Sequence, residues 1–535
     1  MTTITLEERP TWEDVALSFV PPDKRDYRSK ALVARLPLIT ILVGQAVLTW
    51  RLSDVVNDDE ALYINAGHDL LRHVVHGTPV AVYGSYFSGA PAGYPIPAAV
   101  LDGIGGLDLV RLFSLACLLF CTWCVHNVAN HVFGRRTGLM AALAFAVSGS
   151  VLFVGKLATY DAPCIALIAA ALTVGLTKVS VTSGATVGAL LALAAATKYA
   201  GAAFIPAVLG LCLIPLSITS PRSLLRPVAR AGVAAVTAAG LLLGAYRLWG
   251  SSIKQGLSFT TTNRRALDYQ PTTLLVRSVV FDIGLLLALA LAGLVILALR
   301  RSYAQFVIGC VCVLAGLLLP VSQIRIHEFT SLDKHTAFSA LFLALPAAVA
   351  LDLGLTKRVG VKVAIAGVVW LLLIDGLWRS DTQFSWPESM LSTLHAVEKH
   401  PVRGLYVSTD GDSEKYYTPS DSPITWEPSA FAYSLLGQGP QAVATVIRSN
   451  KYAGFVYRSS GFSGESTATE RTMTRVLGDD PAYRLVARIR VDPYHDGHWY
   501  VWQKVWPRPR VTVVDAAARL SPGTATGVPV LGGRP

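Results

Sequence analysis

The sequence predicts an α-helical polytopic membrane protein of about eleven spans, ending in a small α/β or α+β domain. Three observations predict it. Hydrophobic residues fill 52% of the 535 positions and charged residues only 15%, where soluble domains carry about a quarter charged; mean hydropathy is +0.47. Apolar runs of about 17 to 23 residues recur as far as residue 380, each long enough to cross a ~30 Å hydrocarbon core. Beyond residue 380 the pattern changes to short apolar runs separated by polar turns.

The chain opens on a polar stretch, residues 1–30, that ends in Lys24, Arg25, Arg28 and Lys30. It has no short apolar core followed by a small-residue cleavage site, so the first span reads as an uncleaved anchor. Residues 31–380 then form the membrane region, with spans expected at 32–50, 107–128, 138–155, 162–177, 184–197, 200–217, 231–249, 278–299, 303–320, 336–352 and 361–378. The net charge of +11 falls mainly between these runs, which marks topology and not nucleic-acid binding. With the N-terminus inside, every inner loop is basic: Arg135-Arg136, Lys178, Arg222/Arg226/Arg230, Arg300-Arg301 and Lys357-Arg358 with Lys362. The acidic and mixed sequences fall on the other side, in 51–106 and in shorter loops near 156–161, 198, 250–277 and 321–335. Eleven spans place the C-terminal region outside as well.

The first outer loop, 51–106, carries Asn57-Asp58-Asp59-Glu60-Ala61-Leu62-Tyr63 directly after the first span. From Glu60 onward, apolar residues recur at helical spacing, which predicts an amphipathic helix lying in the membrane interface. Gly- and Pro-rich sequence from Tyr83 to Pro97 breaks that helix and starts another near 97–103. All seven Cys (117, 121, 124, 164, 212, 310, 312) lie in apolar segments; the C-x-x-C of Cys121 and Cys124 reads as buried thiols in a helix. Residues 381–515 form the second domain, with strands expected at 405–407, 454–457, 484–487 and 498–502 and helices at 442–449 and 469–477. The Gly/Pro-rich tail 516–535 is expected to be disordered.

Four polar clusters interrupt the apolar pattern, and all fall on one side of the predicted topology. Asp58, Asp59 and Glu60 could simply cap the following helix, since acids favour a first turn. A carboxylate at that place could equally take a proton from a hydroxyl nucleophile. Asp161, just ahead of Pro163, reads either as a helix cap or as a second acid facing the same cavity. Lys198, between two Ala-rich spans and on the side that topology leaves poor in positive charge, points to an anion such as phosphate. The fourth cluster holds His327, Glu328, Lys334 and His335; Lys334 and His335 suit a lipid phosphate, and Arg265 in the loop 250–277 is a further candidate. His327 and Glu328 are the candidate metal ligands, although their spacing matches no standard signature. No cofactor is required by the sequence; a divalent metal remains an option.

These motifs resemble those of the GT-C superfamily of membrane glycosyltransferases, in the branch of the lipid A aminoarabinose transferases and protein O-mannosyltransferases. Asp59-Glu60 with Tyr63 resembles the family's Asp-Glu motif in the first outer loop. Tyr160-Asp161-Ala162-Pro163 resembles its second acidic motif. Thr197-Lys198-Tyr199-Ala200 resembles its Thr-Lys-Gly-Pro segment, with Tyr-Ala in place of Gly-Pro. Lys334 followed by Pro346 resembles a late span. The resemblance implies an inverting enzyme with its active site on the outer face of the membrane; separately, the absence of disulfides and the compact α/β reading of the C-terminal region favour a bacterial plasma membrane. It implies a polyprenyl-phosphate-linked sugar as donor; the acceptor is not readable from the sequence, and a cell-envelope glycan, a glycolipid and a protein are the candidates. By carry-over, Asp59 or Asp58 would be the base, Asp161 its support, and Lys198 and Lys334 the phosphate ligands. The alternatives are a transporter, or a non-catalytic scaffold whose C-terminal domain binds glycans or partners. The aromatics of that domain (Trp426, Tyr494, Trp499, Trp502) read as its core, with stacking on the sugars of an acceptor as the other reading.

Overall fold

The computed structural model describes residues 24–505 apart from 81–82, 86, 179, 215–224, 261–269, 330, 356–358, 460–463 and 493–494. The terminal tails and Arg265 lie outside the described residues.

Helices at all eleven expected positions dominate the first part of the chain. These are α1 (Lys24–Trp50), α3 (Pro95–Phe133), α4 (Arg135–Ala146) with α5 (Gly149–Lys156), α6 (Asp161–Thr177), α7 (Thr182–Thr197), α8 (Ile205–Leu213), α9 (Leu225–Ser258), α10 (Thr272–Leu299), α11 (Tyr303–Ile326), α12 (Leu332–Leu355) and α13 (Val359–Gln383). Length and composition qualify six of them as membrane spans: α3 and α9 to α13. They are seven if α4 and α5, bent by 63°, count as one. The four others are apolar but shorter than a full span among the described residues. A helix of 16 residues rises only about 24 Å, so length and composition support six or seven full spans of the eleven expected.

The first loop contains α2 (Asp58–His76) as expected. Asn57 caps it in extended conformation and Gly77 closes it in the left-handed region at φ 68°. The predicted second helix of the loop and the span after it are one continuous element, α3, kinked at Gly105 and Gly106.

The C-terminal part folds around a five-stranded sheet in the order β2-β1-β3-β5-β4. Its strands are β1 (Gly404–Ser408), β2 (Ile424–Trp426), β3 (Gly454–Arg458), β4 (Tyr483–Asp492) and β5 (His495–Lys504). β1 pairs parallel with β2 and β3, and β3, β5 and β4 pair antiparallel. Side chains alternate across the sheet. Val407, Phe455, Tyr457 and Trp502 face α16 (Ser429–Gly437), α17 (Pro440–Arg448) and α18 (Gly464–Asp479). Tyr406, Val456, Trp499 and Val501 face α14 (Ser389–Lys399). The remaining helix, α15 (Gly411–Tyr417), follows β1.

Trp426, Trp499 and Trp502 are all buried in these two cores. They build the sheet layer and present no face to a glycan, which removes the sugar-stacking reading for these three. Tyr494 lies outside the described residues. The seven cysteines are free thiols: five are buried in the helical core, Cys117 packs against it and Cys310 is half-buried.

Candidate active site

Three consecutive carboxylates at the start of α2 go to three different parts of the chain. Asp58 Oδ1 accepts a 2.6 Å hydrogen bond from the Ser429 hydroxyl, at the start of α16. Asp59 pairs with Lys334, in the first turn of α12. Glu60 points into the protein and pairs with Arg111 of α3. Capping also occurs: the Asn57 side chain accepts from the Asp59 N–H at 2.8 Å, and Glu60 reaches back to the Asn57 N–H at 2.9 Å. That arrangement is a capping box, so the cap and the charged cluster are one structure.

Glu60 is the hub of the site. Its Oε1 accepts from Arg111 Nε at 2.9 Å and from the Ala158 N–H at 2.7 Å. Its Oε2 accepts from Arg111 Nη2 at 2.7 Å and from the Asn57 N–H at 2.9 Å. Four donors fill the carboxylate, and both side chains of the ion pair are almost wholly buried. Arg111 also donates to the carbonyls of Asp54 and Val55 at 3.1 Å each. One carboxylate thus ties the start of α2 to the loop that carries Asp161, three residues past Ala158. Glu60, expected among the catalytic acids, is committed to this role and faces no open space.

Asp161 opens α6. Its Oδ2 accepts from Thr159 Oγ1 at 3.0 Å, and its Oδ1 from the Lys198 ammonium. Lys198 lies between α7 and the short 3-10 turn Tyr199–Phe204, with its ammonium 5.3 Å above the Tyr160 ring and 5.8 Å from the Phe338 ring. Lys334 lies within electrostatic reach of both Asp59 and Asp161, and Lys198 feels Lys334. The two acid–lysine pairs therefore share one cluster. The His335 ring stands edge-on to Phe338 at 6.1 Å, on its border. Tyr63 packs on Tyr160 at 4.4 Å, on Phe87 at 5.2 Å and on Tyr94 at 6.1 Å, forming an aromatic wall.

Backbone contacts fix Lys198 against the first loop. The Tyr199 N–H donates to the Ser88 carbonyl at 2.7 Å, and the Ala90 N–H to Ala196 at 2.8 Å. Between them, a Cβ on Gly89 would stand 2.1 Å from the Thr197 carbonyl oxygen. No other residue fits that approach without moving the lysine loop.

The C-terminal layer reaches the same place. Asn65 donates to the Asp412 carbonyl at 2.8 Å, Lys415 to Asp69 at 2.8 Å and Tyr416 to Asp102 at 2.8 Å. The Val56 N–H donates to the Tyr417 oxygen at 2.9 Å. Asp412 and Ser429 exchange two hydrogen bonds of 2.9 Å through backbone N–H groups, and Ser429 then holds Asp58. Burial pushes the Asp58 carboxyl well above the usual carboxylate range, and the neighbouring Asp412 and Asp410 add to it. Burial likewise raises Asp412 to about 6 and raises Asp410.

A pH dependence follows, with its sign set by those directions. All three groups favour the protonated form when docked, so the docked state is fully stabilised below pH ~4, the ordinary carboxylate range, and loses that stability as pH rises through about 6. Lys415 and Ser429 oppose the rise at Asp412, and Arg458 opposes it at Asp410. Amide exchange protection of residues 411–417, corrected for intrinsic rates, is expected to fall between pH 5 and 7.5. Protection that stays level or climbs would contradict it.

Of the other expected site residues, His327 caps α11 in the left-handed region at φ 59°, with Nδ1 2.9 Å from the Gln270 carbonyl oxygen. Glu328 Oε2 accepts from Gln323 at 2.6 Å. Among the described residues no three His, Cys, Asp or Glu side chains converge as a metal site, and Asp59 and Asp161 are each paired with a lysine ammonium.

Residues 103–242 match the family model of dolichyl-phosphate-mannose-protein mannosyltransferases, a stretch that contains Arg111, Asp161 and Lys198. No curated protein matches the chain. Among solved structures, the fold is similar to that of ArnT from Cupriavidus metallidurans bound to undecaprenyl phosphate, with 14% identity, a TM-score of 0.58, and 88% of this chain and 98% of that one covered. It is also similar to the archaeal oligosaccharyltransferase AglB from Archaeoglobus fulgidus in complex with an inhibitory peptide and a dolichol-phosphate, with 13% identity, a TM-score of 0.52, and 89% and 75% covered. At such identities the likeness establishes the fold.

Proposed function

We propose that this chain, a multi-pass membrane glycosyltransferase of the GT-C superfamily in the ArnT and protein-mannosyltransferase branch, moves a monosaccharide from a polyprenyl phosphate to an acceptor hydroxyl outside the cytoplasm. One observation carries this reading: two acid–lysine pairs, Asp59–Lys334 and Asp161–Lys198, converge from four separate elements. The acids can serve a nucleophile while the lysines serve a phosphate leaving group.

Asp59 is the better base. Its side chain is 35% exposed, whereas Asp58 is held by Ser429 and inclined to keep its proton. In the reaction, the acceptor oxygen attacks the anomeric carbon as Asp59 takes its proton. The bond from that carbon to the phosphate oxygen breaks, with inversion. The negative charge that builds on the departing polyprenyl phosphate falls to Lys334 and Lys198. Asp161 orients Lys198, and Glu60 with Arg111 keeps the two acidic segments in register. The acceptor is a cell-envelope glycan, a glycolipid or a protein, and the setting a bacterial plasma membrane with the acid–lysine cluster on its outer face.

A transporter would carry its ionisable groups near the midplane of broken helices. These four groups instead occupy helix starts and the loop after α7, which favours transfer chemistry. Mass spectrometry of membranes from cells lacking the protein is expected to show one polyprenyl-phosphate sugar accumulating. An unchanged lipid-linked sugar pool, together with no transfer by the purified protein, would overturn the proposal.

A further inference from the structure

A second cleft lies away from the acid–lysine cluster, between α10 and α13. It encloses about 760 Å³, within the range of pockets that hold a ligand. Thr273, Arg277, Phe281 and Leu285 line it at four-residue steps along α10, and Leu371, Asp375 and Arg379 do so along α13. Each set is therefore a single stripe of its helix. Both helices are apolar spans that turn many side chains outward: Val276, Val280, Phe281 and Leu371 are exposed large hydrophobics. The cleft is thus open to the lipid phase along its length.

Its two arginines differ. Arg379 is nearly buried, paired with Asp282 at 3.0 Å and Asp375 at 2.8 Å, and stacked 4.0 Å over the Phe281 ring. Arg277 is exposed and has no ion-pair partner among the described residues. It stands about 7 Å along the helix from Thr272, at the end of α10 where Gln270 bonds to the loop of His327. From Arg277 to Leu285 the stripe runs about 12 Å further into the apolar zone. An unpaired cation near a membrane surface, above an apolar trough, matches a phosphate head joined to a hydrocarbon chain.

We infer that the α10–α13 cleft is a binding site for a phosphate-bearing membrane lipid, with its phosphate on Arg277 and its chain along Val280, Phe281, Leu285 and Leu371. The site is separate from Lys198 and Lys334 and does not depend on the transfer reaction. It has a route to the catalytic cluster, because Asp282, the partner of Arg379, lies in hydrogen-bonding reach of Asp333, the neighbour of Lys334.

Native mass spectrometry of the purified full chain tests it. Phosphatidylglycerol serves as the probe, phosphatidylcholine as the zwitterionic control and inorganic phosphate as competitor. Phosphatidylglycerol is expected to be retained over phosphatidylcholine. Its retention is expected to fall at least fivefold in Arg277→Gln and in Val280→Trp, both at exposed positions, and to persist in Lys334→Ala. Equal retention of the two lipids, wild-type retention in both cleft variants, loss in Lys334→Ala, or displacement by inorganic phosphate would each overturn the inference.

Discussion

Asp59→Asn is expected to lower sugar transfer by about 10²- to 10⁴-fold, the usual contribution of a positioned base, with folding unchanged. Asp59 is partly exposed, and the Lys334 ammonium it pairs with keeps Asp161 as a second carboxylate within electrostatic reach, so the amide does not strand that charge. Asp58→Asn is expected to stay near wild-type activity. An amide oxygen can still accept from Ser429, and the carboxyl it replaces already favours its neutral form. The pair of variants decides which adjacent acid takes the proton. A transfer assay with purified protein checks it, and loss in Asp58→Asn with retention in Asp59→Asn would move the assignment by one residue.

The second large effect is structural. Glu60→Gln leaves the Arg111 guanidinium buried without its anion, and Arg111→Met leaves Glu60 in the same state. Breaking a buried ion pair from one side costs about 3–5 kcal/mol, so each single variant should unfold at a markedly lower temperature in detergent. The double variant Glu60→Leu/Arg111→Met removes both charges and is expected to recover most of that stability. It should not recover activity, because the tie from Glu60 to the Asn57 and Ala158 N–H groups is gone. Single variants as stable as wild type would contradict the hub role. Full activity in the double variant would contradict the positioning role.

Much of this arrangement was legible before any coordinates. Helices are local, and an apolar run between basic loops reports one directly, so helices appeared where the runs predicted them, although six or seven of them are long enough to be full spans. Lys198 and Lys334 stood out because a lysine beside apolar helices needs a partner. What the sequence withheld was pairing across long separations. Arg111 carried a usable signal, since an arginine inside an apolar run requires an anion, yet nothing in the chain names Glu60, 51 residues away. The α15 dock was less legible still. Asp410, Asp412 and Lys415 look like an ordinary polar turn, and only the fold brings them onto α2. The aromatics of the sheet left both readings open, core and sugar platform, because exposed platforms and buried core residues have the same composition.

The central claim is that the acid–lysine pairs are a phosphate site closed on itself, with the carboxylates holding the ammoniums until a lipid phosphate takes their place. Removing the Asp59 charge should then free Lys334 for phosphate. The direct measurement is the affinity of purified Asp59→Asn for undecaprenyl phosphate beside wild type and Lys334→Ala. Tighter binding is expected in Asp59→Asn and weaker binding in Lys334→Ala, even though both transfer poorly. Binding in Asp59→Asn that is unchanged or weaker than wild type would contradict it.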